Sequence, residues 1–150
     1  MNNQSPSPVR LTAAHLLGVA ELESLCFSEP WSAHALELLL SDTQAVGFVC
    51  EQDGTVAAYG GMLITPFDGQ ITNVAVHPNA RRQGLGTAIL LSLLEEAARR
   101  NLESVSLEVR VSNTAAIALY ERFGFAVAGK RKDFYRAPVE DALVMVREIG

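Results

Sequence analysis

The chain has 150 residues, 49% of them apolar and 19% charged, and its net charge is −5. These values suit one folded domain with a real core and exclude a disordered or fibrous chain. The acidic balance disfavours nucleic acid as a main partner, since duplex binding rests on many Lys and Arg contacts to phosphates, and it favours a basic polypeptide or an amine.

No apolar run reaches bilayer length, and the polar start, Met1 to Pro8, lacks the apolar segment of a secretion signal. Residues 1–8 are therefore expected to be a disordered tail and 9–150 one domain, in the cytoplasm and with no membrane partner. Cys26 and Cys50 are too few for a disulfide framework, and His15, His34 and His77 form no ligand cluster, so no metal is expected.

In chain order, Val9 to Leu11 can open a strand. Thr12 can cap a helix carrying Leu16, Leu17, Val19, Ala20, Leu22 and Leu25. Pro30-Trp31 interrupts it, and Ser32 can cap a short helix through Leu40. Ala45 to Cys50 and Val56 to Ile64 read as strands joined by a Gln52-Asp-Gly-Thr55 hairpin turn, with Gly60-Gly61 marking a bulge or a close backbone approach. A second hairpin turn is predicted at Phe67-Asp-Gly-Gln70, followed by a strand over 71–76. Leu85, Ile89, Leu93 and Ala97 recur at helical spacing over 85–100, leaving Glu95, Glu96, Arg99 and Arg100 to face water.

Residues 104–111 alternate strictly, with Val105, Leu107, Val109 and Val111 on one face and Ser104, Ser106, Glu108 and Arg110 on the other. Strand, helix and strand make a β-α-β unit, so strands 71–76 and 104–111 should be parallel. A helix over 113–123, stopped by Gly124, and two strands at 125–128 and 142–146, joined by a loop containing Pro138, complete the chain. The predicted class is α+β around one mixed, mostly antiparallel sheet.

The densest signal is Val74-Ala-Val-His-Pro-Asn-Ala-Arg-Arg-Gln-Gly-Leu-Gly86. An apolar strand runs into two arginines and a Gly-x-Gly that opens a helix. Free backbone N–H groups and the positive end of the helix dipole converge at such a junction, which makes it a phosphate site. It is not a P-loop, because no Gly-x-x-x-x-Gly-Lys-Ser/Thr run exists. It is not a dinucleotide fingerprint, because Ile89 stands where the third glycine or alanine belongs.

Arg81-x-x-Gly84-x-Gly86, between a strand and a helix, resembles the acetyl-coenzyme A signature of the GCN5-related N-acetyltransferases (GNAT). The resemblance runs from about Val9 to Glu148. Within the family it is nearest to the RimI type, which acetylates the N-terminal alanine of a small-subunit ribosomal protein. It is carried by Pro30-Trp31-Ser32, Asn73-Val-Ala-Val76, Arg82-Gln-Gly-Leu-Gly86, Leu107-Glu-Val-Arg110, Ser112-Asn113, Ala115-Ala-Ile-Ala-Leu-Tyr120, Gly124-Phe125 and Glu140-Asp-Ala142.

The resemblance implies acetyl-coenzyme A as co-substrate. Its diphosphate would lie on the main-chain amides of Gln83, Gly84, Leu85, Gly86 and Thr87, with Arg82 and Arg81 serving the phosphates. Its pantetheine arm would lie along Val74, Ala75 and Val76, between two splayed strands, with Asn113 bonding the arm. Glu108 is the candidate base for the acceptor amine, directly or through a water. The alternative is a carboxylate paired with an arginine such as Arg110. Tyr120, on one helical stripe with Asn113 and Ile117, is the candidate acid for the departing thiolate, or else a core tyrosine beside Leu119 and Phe123. Trp31, Phe134 and Tyr135 are candidates for the acceptor groove. Glu140 and Asp141 could hold the acceptor amine or a basic residue after it.

An α-amino group near pKa 8 is about a tenth neutral at pH 7, and a lysine near 10.4 far less, which favours a chain N-terminus as acceptor. The expected reaction is acetyl transfer to the N-terminal alanine of a ribosomal protein. Two other readings stand beside it. One is the same fold acting on lysine or a small-molecule amine, and the other is a non-catalytic acetyl-coenzyme A-binding module. The sequence does not set the oligomeric state.

Overall fold

The computed structural model describes residues 7–149, so most of the expected N-terminal tail lies outside the described residues. Seven strands form one sheet in the order β1-β2-β3-β4-β5-β7-β6. They are β1 Val9–Arg10, β2 Ala45–Gln52, β3 Thr55–Ile64, β4 Asp68–Val76, β5 Ser104–Arg110, β6 Ala126–Arg136 and β7 Val139–Glu148. The helices are α1 Leu16–Cys26, α2 Ala33–Ser41, α3 Leu85–Arg99 and α4 Thr114–Arg122. The β4–β5 pair is parallel and the other neighbours are antiparallel, as the β-α-β reading requires. Among the described residues no helix is long and apolar enough to cross a membrane.

Each face of the sheet carries its own core. Ile89, Leu90 and Leu93 of α3 and Tyr120 of α4 pack with Val105, Leu107 and Val109 of β5. Val19 and Leu22 of α1 and Leu36 and Leu39 of α2 pack with Val49, Tyr59 and Ala75. Each fully buried aliphatic side chain contributes about 1.5–3 kcal/mol. Gly60 is where α3 comes closest to the sheet: a Cβ there would lie 2.5 Å from Ile89 Cγ2.

Three local expectations are corrected. The second hairpin turn falls at Thr65 to Phe67, not at 67–70. Asp68 and Gly69 already belong to β4 because they pair with Ser104 and Val105 of β5. The expected loop before Ala142 is instead a long β6–β7 hairpin that turns at Ala137-Pro138. β6 is an edge strand exposed along nearly its whole length, so it lacks the alternation that would have marked it. Finally, Glu96 does not face water. It is 3% exposed and bonded by both Arg99 and Arg100, while Arg100 also reaches Thr43 O at 3.3 Å.

The feature that positions the site is in β4. Gly61 pairs with Asn73 and Met62 with Ile71, so Thr72 is an extra, bulged residue. Such a bulge bends a strand and increases its twist. β4 pairs with β5 only over Asp68 to Gln70, opposite Ser104 to Ser106. From Ile71 onward the two strands part, and the β5-facing edge of β4 carries no ladder partner up to Val76.

Candidate active site

The glycine junction follows directly from the chain. His77 caps a short turn, Pro78–Ala80, by accepting the Asn79 N–H at 3.0 Å. Arg82 (φ 66°) and Gly84 (φ 78°) then take the left-handed conformation, and Gly84 is the N-cap of α3. Its first helical bond is Ala88 N–H to Gly84 O at 3.0 Å, so the amides of Leu85, Gly86 and Thr87 have no acceptor within the helix. A Cβ on Gly84 would meet nothing within 4 Å, and one on Gly86 would sit 3.4 Å from Val76 Cγ2. The junction is an open cradle of N–H groups beside the end of β4, which suits a diphosphate.

The strand that feeds the cradle is partly engaged. Val76 O accepts from Cys26 Sγ at 3.4 Å and from Arg81 Nε at 3.3 Å, so Arg81 is folded back onto β4. Burial pushes the Cys26 thiol up, against the opposing influence of Arg81. Gln83 accepts from Gln52 Nε2 at 2.6 Å. Asn113 caps α4 by accepting the Ala116 N–H at 3.2 Å.

Glu108 sits at the mouth of the splay, two residues past the last β5 residue paired with β4. Its side chain is 14% exposed. One oxygen accepts from Gln70 Nε2 at 3.1 Å, across the opening, and the other faces Arg131 Nε at 3.2 Å. The arginine beside it is thus Arg131 of β6 and not Arg110.

Tyr120 is buried, its ring tilted on Phe125 at 5.8 Å. Burial, aided by nearby Tyr135, pushes its phenol up to about 12, so it stays protonated and able to donate at neutral pH. Tyr135 is also raised to about 12 by burial, although the Arg110 guanidinium stacked 4.2 Å from its ring centre opposes the shift. Phe134 packs edge-on against Tyr135 at 5.0 Å.

Arg110 joins the α1–α2 loop to the β6–β7 hairpin. It donates to Ser28 Oγ (3.2 Å) in the α1–α2 loop and to Ala137 O (3.3 Å), Pro138 O (3.0 Å) and Glu140 (3.1 Å) on the β6–β7 hairpin. Glu140 also accepts the Ser112 N–H at 2.7 Å, and hydrogen bonding from Ser112, ahead of Arg110, holds its carboxyl below the usual range. Asp141 is lowered chiefly by the Asp133 N–H at 2.8 Å, with Lys130 adding to it. Both acids are therefore engaged within the protein. Among the described residues no three His, Cys, Asp or Glu side chains gather as metal ligands.

Sequence reasoning missed Glu23. It is fully buried, and three donors converge on it: Tyr59 OH, Asn73 Nδ2 at 2.8 Å and the Trp31 N–H at 2.8 Å. Burial, and then the charge of Glu23, drive the Tyr59 phenol far above its ordinary range. The cluster ties the Trp31 loop to β4 one residue past the bulge. A signal existed, since Val19, Leu22, Glu23 and Cys26 fall on one apolar helical stripe.

The Acetyltransferase (GNAT) family model matches residues 16–125. The chain belongs to the GNAT family of acetyltransferases. A provisionally named ribosomal protein bS18-alanine N-acetyltransferase of Bacillus subtilis (strain 168) is 41% identical over 85% of each chain. The ribosomal protein bS18-alanine N-acetyltransferase of Escherichia coli (strain K12) is 35% identical over 93% of this chain and 95% of its own. The crystal structure of the ribosomal-protein-S18-alanine N-acetyltransferase from Escherichia coli superposes with a TM-score of 0.88 at 33% identity, covering 96% of this chain and 94% of that one. The expected GNAT sheet, mostly antiparallel with one parallel pair, is the sheet observed.

Proposed function

We propose that this GNAT enzyme transfers the acetyl group of acetyl-coenzyme A to the N-terminal alanine of a small-subunit ribosomal protein. The observation that carries the reading is the parting of β4 from β5 after Gln70, with the open amide cradle at one end of the gap and Glu108 at its mouth. The relatives named for acetylation of bS18 alanine, 35–41% identical over most of the chain, support the acceptor. The acidic chain suits a basic polypeptide, and the cytoplasm is where such a substrate is made.

Acetyl-coenzyme A supplies the acetyl group as a thioester. The amides of Gln83 to Thr87, with Arg82, hold its diphosphate, and the edge of β4 at Val74 to Val76, which has no ladder partner in β5, holds the arm. Glu108 takes the proton from the acceptor amine. Tyr120, protonated and buried, hydrogen-bonds the departing sulfur. Trp31 and Tyr135 wall the acceptor groove from the two loops that Arg110 joins.

N-terminal mass spectrometry of cells with and without the gene tests the acceptor. Loss of acetyl-alanine on one small-subunit protein is expected, whereas loss only at lysines or on a small amine would replace this reading. Tyr120→Phe should lower kcat while leaving the acceptor KM in place.

Gly84→Val tests the cradle. A β-branched residue at φ 78° strains the turn by about 1–2 kcal/mol and projects into the open space before the amides. The acetyl-coenzyme A KM should rise about tenfold or more, which matches the loss of a single charge-assisted hydrogen bond or more. Circular dichroism checks that the fold persists.

A further inference from the structure

Glu108 already has a cation beside it. Gln70 occupies one oxygen at 3.1 Å, and the Arg131 guanidinium occupies the other at 3.2 Å. We propose that Arg131 is a resident stand-in for the acceptor's ammonium, so that acceptor binding exchanges one cation for another on Glu108. The inference rests on the reading of Glu108 as the group that takes the acceptor's proton.

The two arginines nearest the groove differ in the way this requires. Arg110 has a side chain 22% exposed and is tied by two carbonyls, a hydroxyl, two carboxylates and an aromatic face, so it is a fixture. Arg131 is 59% exposed, and Glu108 is its one ion-pair partner among the described residues. It stands on the edge strand beside an irregularity: Arg131 pairs with Ala142 and Tyr135 with Glu140, so three β6 residues lie opposite one on β7. The Phe134 ring, 5.8 Å from its guanidinium carbon, offers a place to rest when it leaves the carboxylate. Tyr135, which feels the charge of Glu108, is neutral at working pH, and the Arg110 guanidinium stacked on its ring is held by partners of its own.

The exchange gives the cycle a direction. The entering ammonium displaces Arg131 and takes its place on Glu108. Its proton passes to the carboxylate, and the freed lone pair forms the N–C bond as the C–S bond breaks. The sulfur leaves as the thiol, taking the second proton that the nitrogen sheds, and the proton on Glu108 passes to solvent, which restores the carboxylate. The product amide carries no charge and cannot hold Glu108 against Arg131, so the returning guanidinium favours release.

Calorimetric titration of the coenzyme A-loaded enzyme with an alanine-starting peptide, and with its acetylated form, tests this. An exposed ion pair of this kind is worth a factor of about two to five. Arg131→Gln should therefore tighten both peptides by about two- to fivefold, and Arg131→Lys should restore the wild-type values. Weaker or unchanged binding of either peptide by Arg131→Gln, with an unaltered thermal melt, overturns the proposal. Glu108→Gln separates the two claims: normal turnover by that variant would sink the base assignment, while the Arg131 titrations would still read the exchange.

Discussion

Glu108→Gln is expected to lower kcat/KM for a polypeptide amine by about 10²- to 10⁴-fold, the range for loss of a positioned general base. The substitution is isosteric. The side-chain oxygen can still accept from Gln70, so the mouth of the splay keeps its shape while the group loses its ability to take a proton. Binding of coenzyme A should be unchanged, because the cradle lies at the other end of the gap. Steady-state kinetics with both substrates varied, together with coenzyme A titration, separates these effects. Turnover near the wild-type value would reduce Glu108 to an ion-pair partner of Arg131.

Glu23→Ala is expected to be the most destabilising single change in the acceptor half of the protein. It removes the acceptor for Tyr59 OH, Asn73 Nδ2 and the Trp31 N–H at once, in a place with no exposure to water. A buried polar group left unpaired costs about 1–3 kcal/mol, and here three neutral donors lose their acceptor together. At about 2–4 °C per kcal/mol for a chain of this size, the melting midpoint should fall by on the order of 10 °C. Glu23→Gln keeps the volume and one acceptor oxygen, and should lose less than half as much. A thermal melt of the two variants beside the wild type decides it, and equal midpoints for all three would show that the cluster carries no stability.

Much of the fold was legible because it is written in local patterns. The alternation of 104–110 announced β5 and its two faces, and the four-residue spacing of Leu85, Ile89, Leu93 and Ala97 announced α3. The Ser32 cap also came through, accepting the Ala35 N–H at 3.1 Å, and Gly124 stops α4, whereas Thr12 precedes a short turn at Ala13–His15 and α1 starts after His15. The β6–β7 hairpin did not, because an exposed edge strand has no buried face to impose a period. Nor did the buried Glu96, since a charged residue on a helix reads as solvated until the partner that covers it is known.

By itself the amino-acid order determined the junction of strand, arginines and glycines, the parallel β-α-β unit, and the face on which Glu108 stands. These depend on residues close together in the chain, where periodicity and backbone conformation decide the outcome. Only the tertiary structure decided that Thr72 bulges and opens the sheet, that Glu108 faces Gln70 and Arg131, that Arg110 joins two distant loops, and that Glu23 gathers donors from three segments. Apart from Trp31, which stands 8 residues from Glu23, those partners lie 23 to 82 residues apart, and nothing local selects among the arginines and donors the chain contains; packing two cores onto one bent sheet does.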